Sequence, residues 1–283
     1  MSETAKLTVG QAIRAAAERL ASSSDTARLD AEVLMAHALG VSRSDLLLRH
    51  LGDSAPDGFA ALVERRAGHE PVAYIVGSQD FFGMPLRVSD AVLIPRGDSE
   101  VLVETARLRG GSARRVLDCG TGSGALLLAV LAGLPEARGV GIDRSARALA
   151  VAAGNAAALG LGGRSAFLER DWTRAGWRAG LGWFDLVLAN PPYVEEAAAL
   201  DPSVRAHEPA GALFAGAEGL DDYRVLVPEL PALLAPGGTA LVEIGASQAE
   251  AVRAIAAGAG LDSRLHRDLG GRARVLELRQ SGE

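Results

Sequence analysis

Asn190-Pro191-Pro192-Tyr193 follows directly on the apolar run Phe184–Ala189. An Asn at the end of a buried strand, followed by two prolines that stop the ladder and fix the backbone, presents two rigid acceptors at the mouth of a sheet. They are the Asn190 side-chain oxygen and the Pro191 carbonyl. Such a pair suits a substrate that offers an NH2 group, and Tyr193 adds a flat face beside it. Alone, an Asn-Pro-Pro is more readily read as a strand-ending turn that does no chemistry.

A second cluster gives it a context. Asp118-Cys119-Gly120-Thr121-Gly122-Ser123-Gly124 joins an apolar strand to a helix beginning near Ala125. Glycines at alternate positions let the backbone turn tightly and approach a ligand, and the helix start that follows favours a carboxylate or another anion. Asp143 ends the next strand, where its carboxylate can accept both hydroxyls of a ribose. Asp171-Trp172 follows the third strand, where the carboxylate can accept from an adenine amino group and the indole can stack. The loop also fits the loose dinucleotide pattern Gly120-x-Gly122-x-x-Ala125, so a nicotinamide enzyme has to be weighed. Asp118 two residues before the first glycine, the alternate-glycine spacing and the tetrad favour S-adenosylmethionine instead. No His or Lys stands near these strand ends to exchange a proton with an alcohol.

These residues need a scaffold, and from Val101 onward strands and helices alternate. Strands are predicted at 115–119, 139–143, 165–169, 184–189 and 239–244, which implies a doubly wound, mostly parallel Rossmann-like α/β sheet. Two last apolar stretches, 261–266 and 274–278, lie too close together for a helical crossover and predict an antiparallel edge. The front of the chain differs. Ile13, Ala16, Ala17 and Leu20 mark one helix, and Leu29, Val33, Leu34 and Ala38 a second, with Ser24 or Asp25 as its cap and Gly40 at its end. Further helices are expected at 44–48 and 57–66. Between Pro71 and Pro95 the texture becomes that of a hairpin, with 80–82 and 86–88 as arms. The expected organisation is a helical domain over 1–70, a β-hairpin linker over 71–95 and a cofactor-binding domain over 96–283.

Bulk properties narrow the classes. The 283 residues are 48% hydrophobic and 23% charged, a globular balance. A net charge of -6 leaves no global basic field for nucleic acid. Cys119 is the only cysteine, which excludes an intramolecular disulfide and a cysteine metal cage, and the five histidines lack metal-ligand spacing, so no metal is expected. Cys119 itself is expected to pack behind the glycine loop. With no signal-like start and no apolar run near the ~20 residues of a membrane span, a cytoplasmic, membrane-free protein is expected.

Over nearly its whole length the chain resembles the bacterial peptide chain release factor N5-glutamine methyltransferases, the PrmC/HemK family. The resemblance is carried by Asp30-Ala31-Glu32-Val33-Leu34, by Arg65-Arg66 with Glu70-Pro71-Val72-Ala73-Tyr74, and by Leu93-Ile94-Pro95-Arg96. It continues through 118–124, Asp143, Asp171-Trp172, Asn190 to Tyr193, Glu208-Pro209 and Asp268-Leu269-Gly270. It implies methylation of the glutamine of the Gly-Gly-Gln motif in class I release factors, with S-adenosylmethionine converted to S-adenosylhomocysteine. Asn190, Pro191 and Tyr193 would be catalytic, Asn190 to Tyr193 would bind the substrate, and Gly120, Thr121, Gly122, Ser123, Gly124, Asp143, Asp171, Trp172 and Asn190 would bind the cofactor. The helical front would recognise the substrate, Arg96 and Glu208-Pro209 would order the site, and a monomer is expected. Where the family usually reads Ile-Pro-Arg-Pro-Asp-Thr-Glu, this chain has Gly97 and Ser99, a change expected to loosen the start of a helix without touching the chemistry. A ribosomal-protein glutamine methyltransferase shares these motifs. A nucleic-acid amino-methyltransferase shares the tetrad but needs basic surface. A binding module with a vestigial fold would not need the loop, Asp143 and tetrad together.

Overall fold

A computed structural model describes residues 6–282 of the chain. Its elements are α1 (Val9–Leu20), α2 (Ala27–Leu39), α3 (Arg43–Asp45), α4 (Phe59–Ala67), α5 (Val72–Val76), β1 (Ser78–Phe81), β2 (Met84–Arg87), α6 (Glu100–Arg109), β3 (Arg115–Cys119) and α7 (Ala125–Gly133). They continue with β4 (Arg138–Asp143), α8 (Ala146–Ala158), β5 (Ser165–Glu169), β6 (Phe184–Ala189), α9 (Pro202–His207), α10 (Asp221–Leu226), β7 (Leu234–Glu243), α11 (Ala249–Gly258), β8 (Leu261–Arg267) and β9 (Ala273–Gln280). The described chain divides into two compact units. One holds the residues up to Ser78 together with Leu200–His207, the other Gln79–Ala199 and the residues from Glu208 onward.

The first unit is helical and closes on Ile13, Leu20, Leu34, Met35, Leu46 and Ile75, all buried. Thr8 and Gln11 form a reciprocal capping box at the start of α1. Helix α2 departs from the expected pattern. It starts after Thr26, and Ser24, expected as a cap, donates instead to Asp30 at 2.7 Å. Leu29 is exposed, while Asp30 and Glu32 are buried. The reason is pairing: Arg66 Nε donates to Asp30 at 2.7 Å, and Arg28 and Arg43 both donate to Glu32. Apolar spacing alone does not reveal a face whose buried carboxylates are neutralised by arginines, Arg28 from α2 itself and Arg43 and Arg66 from α3 and α4. Gly40 ends α2 in the left-handed conformation as expected, with φ of 69°. The third helix is a short α-turn continued by a π-helical turn over Leu46–His50. From the later part of the chain α9 joins this unit, with Asp201 accepting the Ser203 N–H at 2.8 Å.

The hairpin is shorter than the texture between Pro71 and Pro95 suggests. Val72–Val76 is helical, and only β1 and β2 pair. Phe82, expected in an arm, sits in the two-residue turn with Gly83, at φ of 50° and 74°. Two successive positive φ values match the twist of a tight hairpin, which overrides the strand preference of Phe.

In the second unit seven strands lie in the order β5-β4-β3-β6-β7-β9-β8. The first five are parallel, and β9 runs antiparallel to both β7 and β8, so the edge is built as expected. Strand β7 starts five residues ahead of the expected 239, because Pro236, Gly237 and Gly238 lie within an irregular strand whose register shifts against β6. One apolar layer packs α6 and α7 on one face of the sheet through Leu102, Leu127 and Leu131. The other face buries Tyr223, Leu226, Val252 and Leu276.

Candidate functional site

The chain order of the strands reverses at β3, with β4 and β5 to one side and β6 and β7 to the other. Ligands of open α/β sheets bind where the carboxyl ends part at such a reversal. A cleft with an empty volume of about 1110 Å3, open solvent at its mouth included, lies there. Gly120, Thr121, Gly122, Ser123, Asp143, Asp171, Trp172, Asn190 and Pro192 line it. Gly124, Pro191 and Tyr193, singled out with them, are not among the lining residues.

The loop after β3 is held by its backbone. Gly120 and Thr121 N–H groups both donate to the Ile142 carbonyl at 2.9 Å, and Gly124 N–H turns back to Thr121 at 2.7 Å. Gly120, at φ of 75°, carries no Cβ where one would come within 3.0 Å of the Trp172 ring. Gly124, at 83°, lets Leu128 and Ala152 close on the start of α7, which explains why it faces protein rather than cleft. The Thr121 hydroxyl is committed to Asp118 at 2.7 Å. Asn155 of α8 pins the loop from behind, donating to the Ser123 carbonyl at 2.9 Å while its amide also pairs with both backbone groups of Arg87. Nothing in the sequence pattern of α8 distinguishes Asn155 from a solvent-facing Asn.

Asp118 is fully buried, and its Oδ1 has no hydrogen-bond partner among the described residues. Burial pushes its carboxyl up to about 7, against the opposing effects of the Thr121 hydroxyl and the Leu127 N–H. Cys119 beside it is buried as expected, and its thiol is pushed well up by the same desolvation.

Asp143 receives Gly122 N–H at 3.0 Å on one oxygen and Ser145 N–H at 2.9 Å on the other. A carboxylate has about four lone-pair sites, so two remain for a ligand. Asp171 folds a local turn, accepting Thr173 N–H at 3.0 Å and its hydroxyl at 2.7 Å. The Thr173 hydroxyl holds the Asp171 carboxyl below its ordinary range, with Arg174 and Arg144 adding to the effect. Trp172 donates Nε1–H to Asp222 at 2.8 Å, which orients the indole against Gly120. Asp222 was invisible in the sequence, since its partner lies fifty residues away.

At the end of β6, Asn190 Nδ2 donates to the Ser99 hydroxyl at 3.4 Å. Among the described residues no donor is bonded to the Pro191 carbonyl. Tyr193 packs on the hydrophobic core, burial raises its hydroxyl pKa, and its carbonyl accepts from Gln248 at 3.0 Å. Gly97–Ser99 forms a 3-10 turn ahead of α6. Ser99, one of the residues in which this segment departs from the family's usual pattern, is buried against Asn190. Glu208 is buried and holds the strand-like segment at the cleft rim, accepting from Ile94 N–H at 3.1 Å and from the Arg96 guanidinium. A lone Glu-Pro pair gives no hint of that reach across more than a hundred residues.

The geometry has counterparts. A PrmC N-terminal domain model matches residues 11–77, and a methyltransferase small domain model matches 97–207. A release factor glutamine methyltransferase from Caulobacter vibrioides is 42% identical over 281 residues, covering 95% of this chain and 96% of its own. One of the same name from Cereibacter sphaeroides is 43% identical over 276 residues, covering 95% and 97%. Among solved structures, an O-methyltransferase family protein from Burkholderia thailandensis shares the fold at a TM-score of 0.53 and 17% identity, over 93% of this chain and 98% of that one.

Proposed function

The chain belongs to the release factor glutamine methyltransferase family, and from that premise we propose that it methylates the side-chain amide nitrogen of the glutamine in the Gly-Gly-Gln motif of class I release factors, with S-adenosylmethionine as donor. The observation that carries the reading is one cleft at the sheet reversal that gathers the glycine loop, Asp143 and Asn190.

The residues present fit that cofactor. Gly120 and Gly122 leave the loop without Cβ atoms at the cleft, and the free lone pairs of Asp143 suit a ribose. Asp171 and Trp172, held by Thr173 and Asp222, would flank the adenine. S-adenosylmethionine supplies an electrophilic methyl group on a sulfonium. The protein's own task is orientation. An amide nitrogen is a poor nucleophile because its lone pair is delocalised, so both N–H bonds must be directed away from the methyl carbon. Asn190 Oδ1 and the unpaired Pro191 carbonyl accept those two hydrogens and turn the nitrogen toward the donor. Such positioning is worth up to roughly 7–11 kcal/mol. No general base is needed, since the proton can leave to solvent after transfer. Tyr193 supports the tetrad from the core side, and Glu208 with Arg96 supports the opposite rim.

Incubation with methyl-labelled S-adenosylmethionine and each class I release factor, followed by peptide mapping, is the test. Label confined to the Gly-Gly-Gln glutamine is expected. Label on a ribosomal protein or a nucleic acid instead, with the release factors unmodified, would replace the substrate assignment.

A further inference from the structure

Gln248 is buried at the start of α11, yet its side chain does not cap that helix. It reaches three other backbone segments instead. Nε2 donates to the Tyr193 carbonyl at 3.0 Å and to the Gly219 carbonyl at 3.1 Å, with the Glu218 carbonyl further off at 3.5 Å. Oε1 accepts the Gly245 N–H at 3.1 Å. Two carbonyls need donors and one N–H needs an acceptor, so the amide fits in one orientation only. Glycines make room for it. A Cβ at Gly245 would stand 2.7 Å from Oε1, and one at Gly219 would stand 2.8 Å from Nε2 and 2.3 Å from the Tyr193 carbonyl oxygen.

These contacts bear on the tetrad because its own backbone can do little to hold it. Pro191 and Pro192 have no N–H to donate, so the segment depends on its two flanks. On one flank Ala189 is fixed in β6, in register with Val242 of β7. On the other, the Val194 N–H donates to the Leu213 carbonyl at 2.8 Å, and the Val194 carbonyl accepts the Ala215 N–H at 2.9 Å. The segment that carries Leu213 and Ala215 lies outside the seven-stranded sheet and needs an anchor of its own. Gln248 supplies one, joining that segment at Gly219 and the tetrad at Tyr193 to Gly245, just beyond β7. We infer that Gln248 is a positioning residue for methyl transfer: by fixing the Tyr193 end of the tetrad against the start of α11, it sets where Asn190 Oδ1 and the Pro191 carbonyl stand. The inference rests on the reading of the site as an amide methyltransferase.

The test compares two variants of similar length. Gln248→Met fills the space and loses both donors. Its kcat is expected to fall about 10- to 100-fold, as a small misplacement of a reacting group can cost that much. The KM for the release factor and the affinity for S-adenosylmethionine should stay within about threefold of wild type. Gln248→Glu keeps the acceptor for the Gly245 N–H. Charged, at about pH 8.5, it should be impaired like Gln248→Met. Its kcat relative to wild type should rise as the pH is lowered toward about 6 and the carboxyl gains a proton to donate to Tyr193. A role limited to filling space gives no such recovery. A readout without substrate, cofactor or variant is hydrogen exchange of the Gln248 side-chain NH2 in the wild-type protein, followed by NMR. It should be at least about 100-fold slower than in an exposed glutamine. Should the methionine variant not fold, the glutamate variant and the exchange rate still decide. Wild-type kcat in Gln248→Met, a flat pH ratio in Gln248→Glu, or an unprotected NH2 would overturn the proposal. If the wild-type protein labels no release factor, the functional reading falls first and takes this inference with it. If wild type labels normally and these expectations fail, only Gln248 loses its role.

Discussion

Two residues carry the sharpest expectations at the smallest scale. Removing the Asn190 amide in Asn190→Ala deletes one of the two acceptors proposed to aim the substrate nitrogen. Misplacement of a reacting group is expected to cost at least about 100-fold in kcat. Cofactor affinity, measured by calorimetry, should barely change, because the glycine loop and Asp143 stand on other strands. Turnover close to wild type would remove Asn190 from its assigned role. Gly120→Ala acts in the opposite sense. A side chain at φ of 75° is strained by about 1–2 kcal/mol, and its Cβ would press on Trp172. Weaker cofactor binding and a lowered unfolding midpoint are expected together, and a variant with unchanged affinity would detach Trp172 from the cofactor pocket. Both residues were legible in the sequence, since strand-end Asn-Pro-Pro and alternate glycines are local patterns. Ser99, Asn155 and Asp222 were not, because each acts on a partner that only the fold brings near.

Between elements the same division holds. Parallel strands, crossover helices and the antiparallel edge follow from apolar runs and connection lengths, which is why they could be read before the structure. Strand β7 and the face of α2 could not, for one has glycines inside a strand and the other has carboxylates inside a core. Asn155 shows what such hidden contacts contribute. It joins α8 to β2 and to the glycine loop by three hydrogen bonds. Asn155→Ala leaves the buried Ser123 carbonyl unpaired at about 1–3 kcal/mol and frees two part-buried backbone groups of Arg87, so a stability loss and weaker cofactor binding are expected in parallel. Chemical denaturation and calorimetry on the same variant check both. In the helical unit, Asp30 accepts from Arg66, Ser24 and Thr26 at once. Asp30→Ala strands the Arg66 guanidinium among α2 and α4 and should destabilise by about 3–5 kcal/mol, whereas an apolar pair replacing both residues should cost far less. Equal losses in the single and double variants would show that the ion pair is not what the site requires.

For the molecule as a whole, the acidic balance of -6 says little about the pH response, because the buried carboxyls govern it. Desolvation raises Asp118 and Glu243 from ordinary values of 3.8 and 4.5 to about 7, and it raises Asp222 as well. Between the ordinary carboxylate range and about 7 the folded protein then binds more protons than the unfolded chain, so these groups lose stability as pH rises through that window. Glu32, Glu70, Asp171 and Asp201 are shifted the other way. Their contribution is present above the ordinary carboxylate range and is lost only as pH falls below it. From about pH 5 to about pH 8 the growing charge on Asp118 and Glu243 is expected to lower thermal stability. Asp118→Asn, which keeps an acceptor for the Thr121 hydroxyl and cannot ionise, isolates one contributor. Its unfolding temperature should fall less steeply over the same range, so that variant and wild type converge or cross at the alkaline end. Parallel curves across the range would mean that Asp118 does not take up its proton on folding, and the desolvated carboxyl behind the glycine loop would then have to be charged at neutral pH.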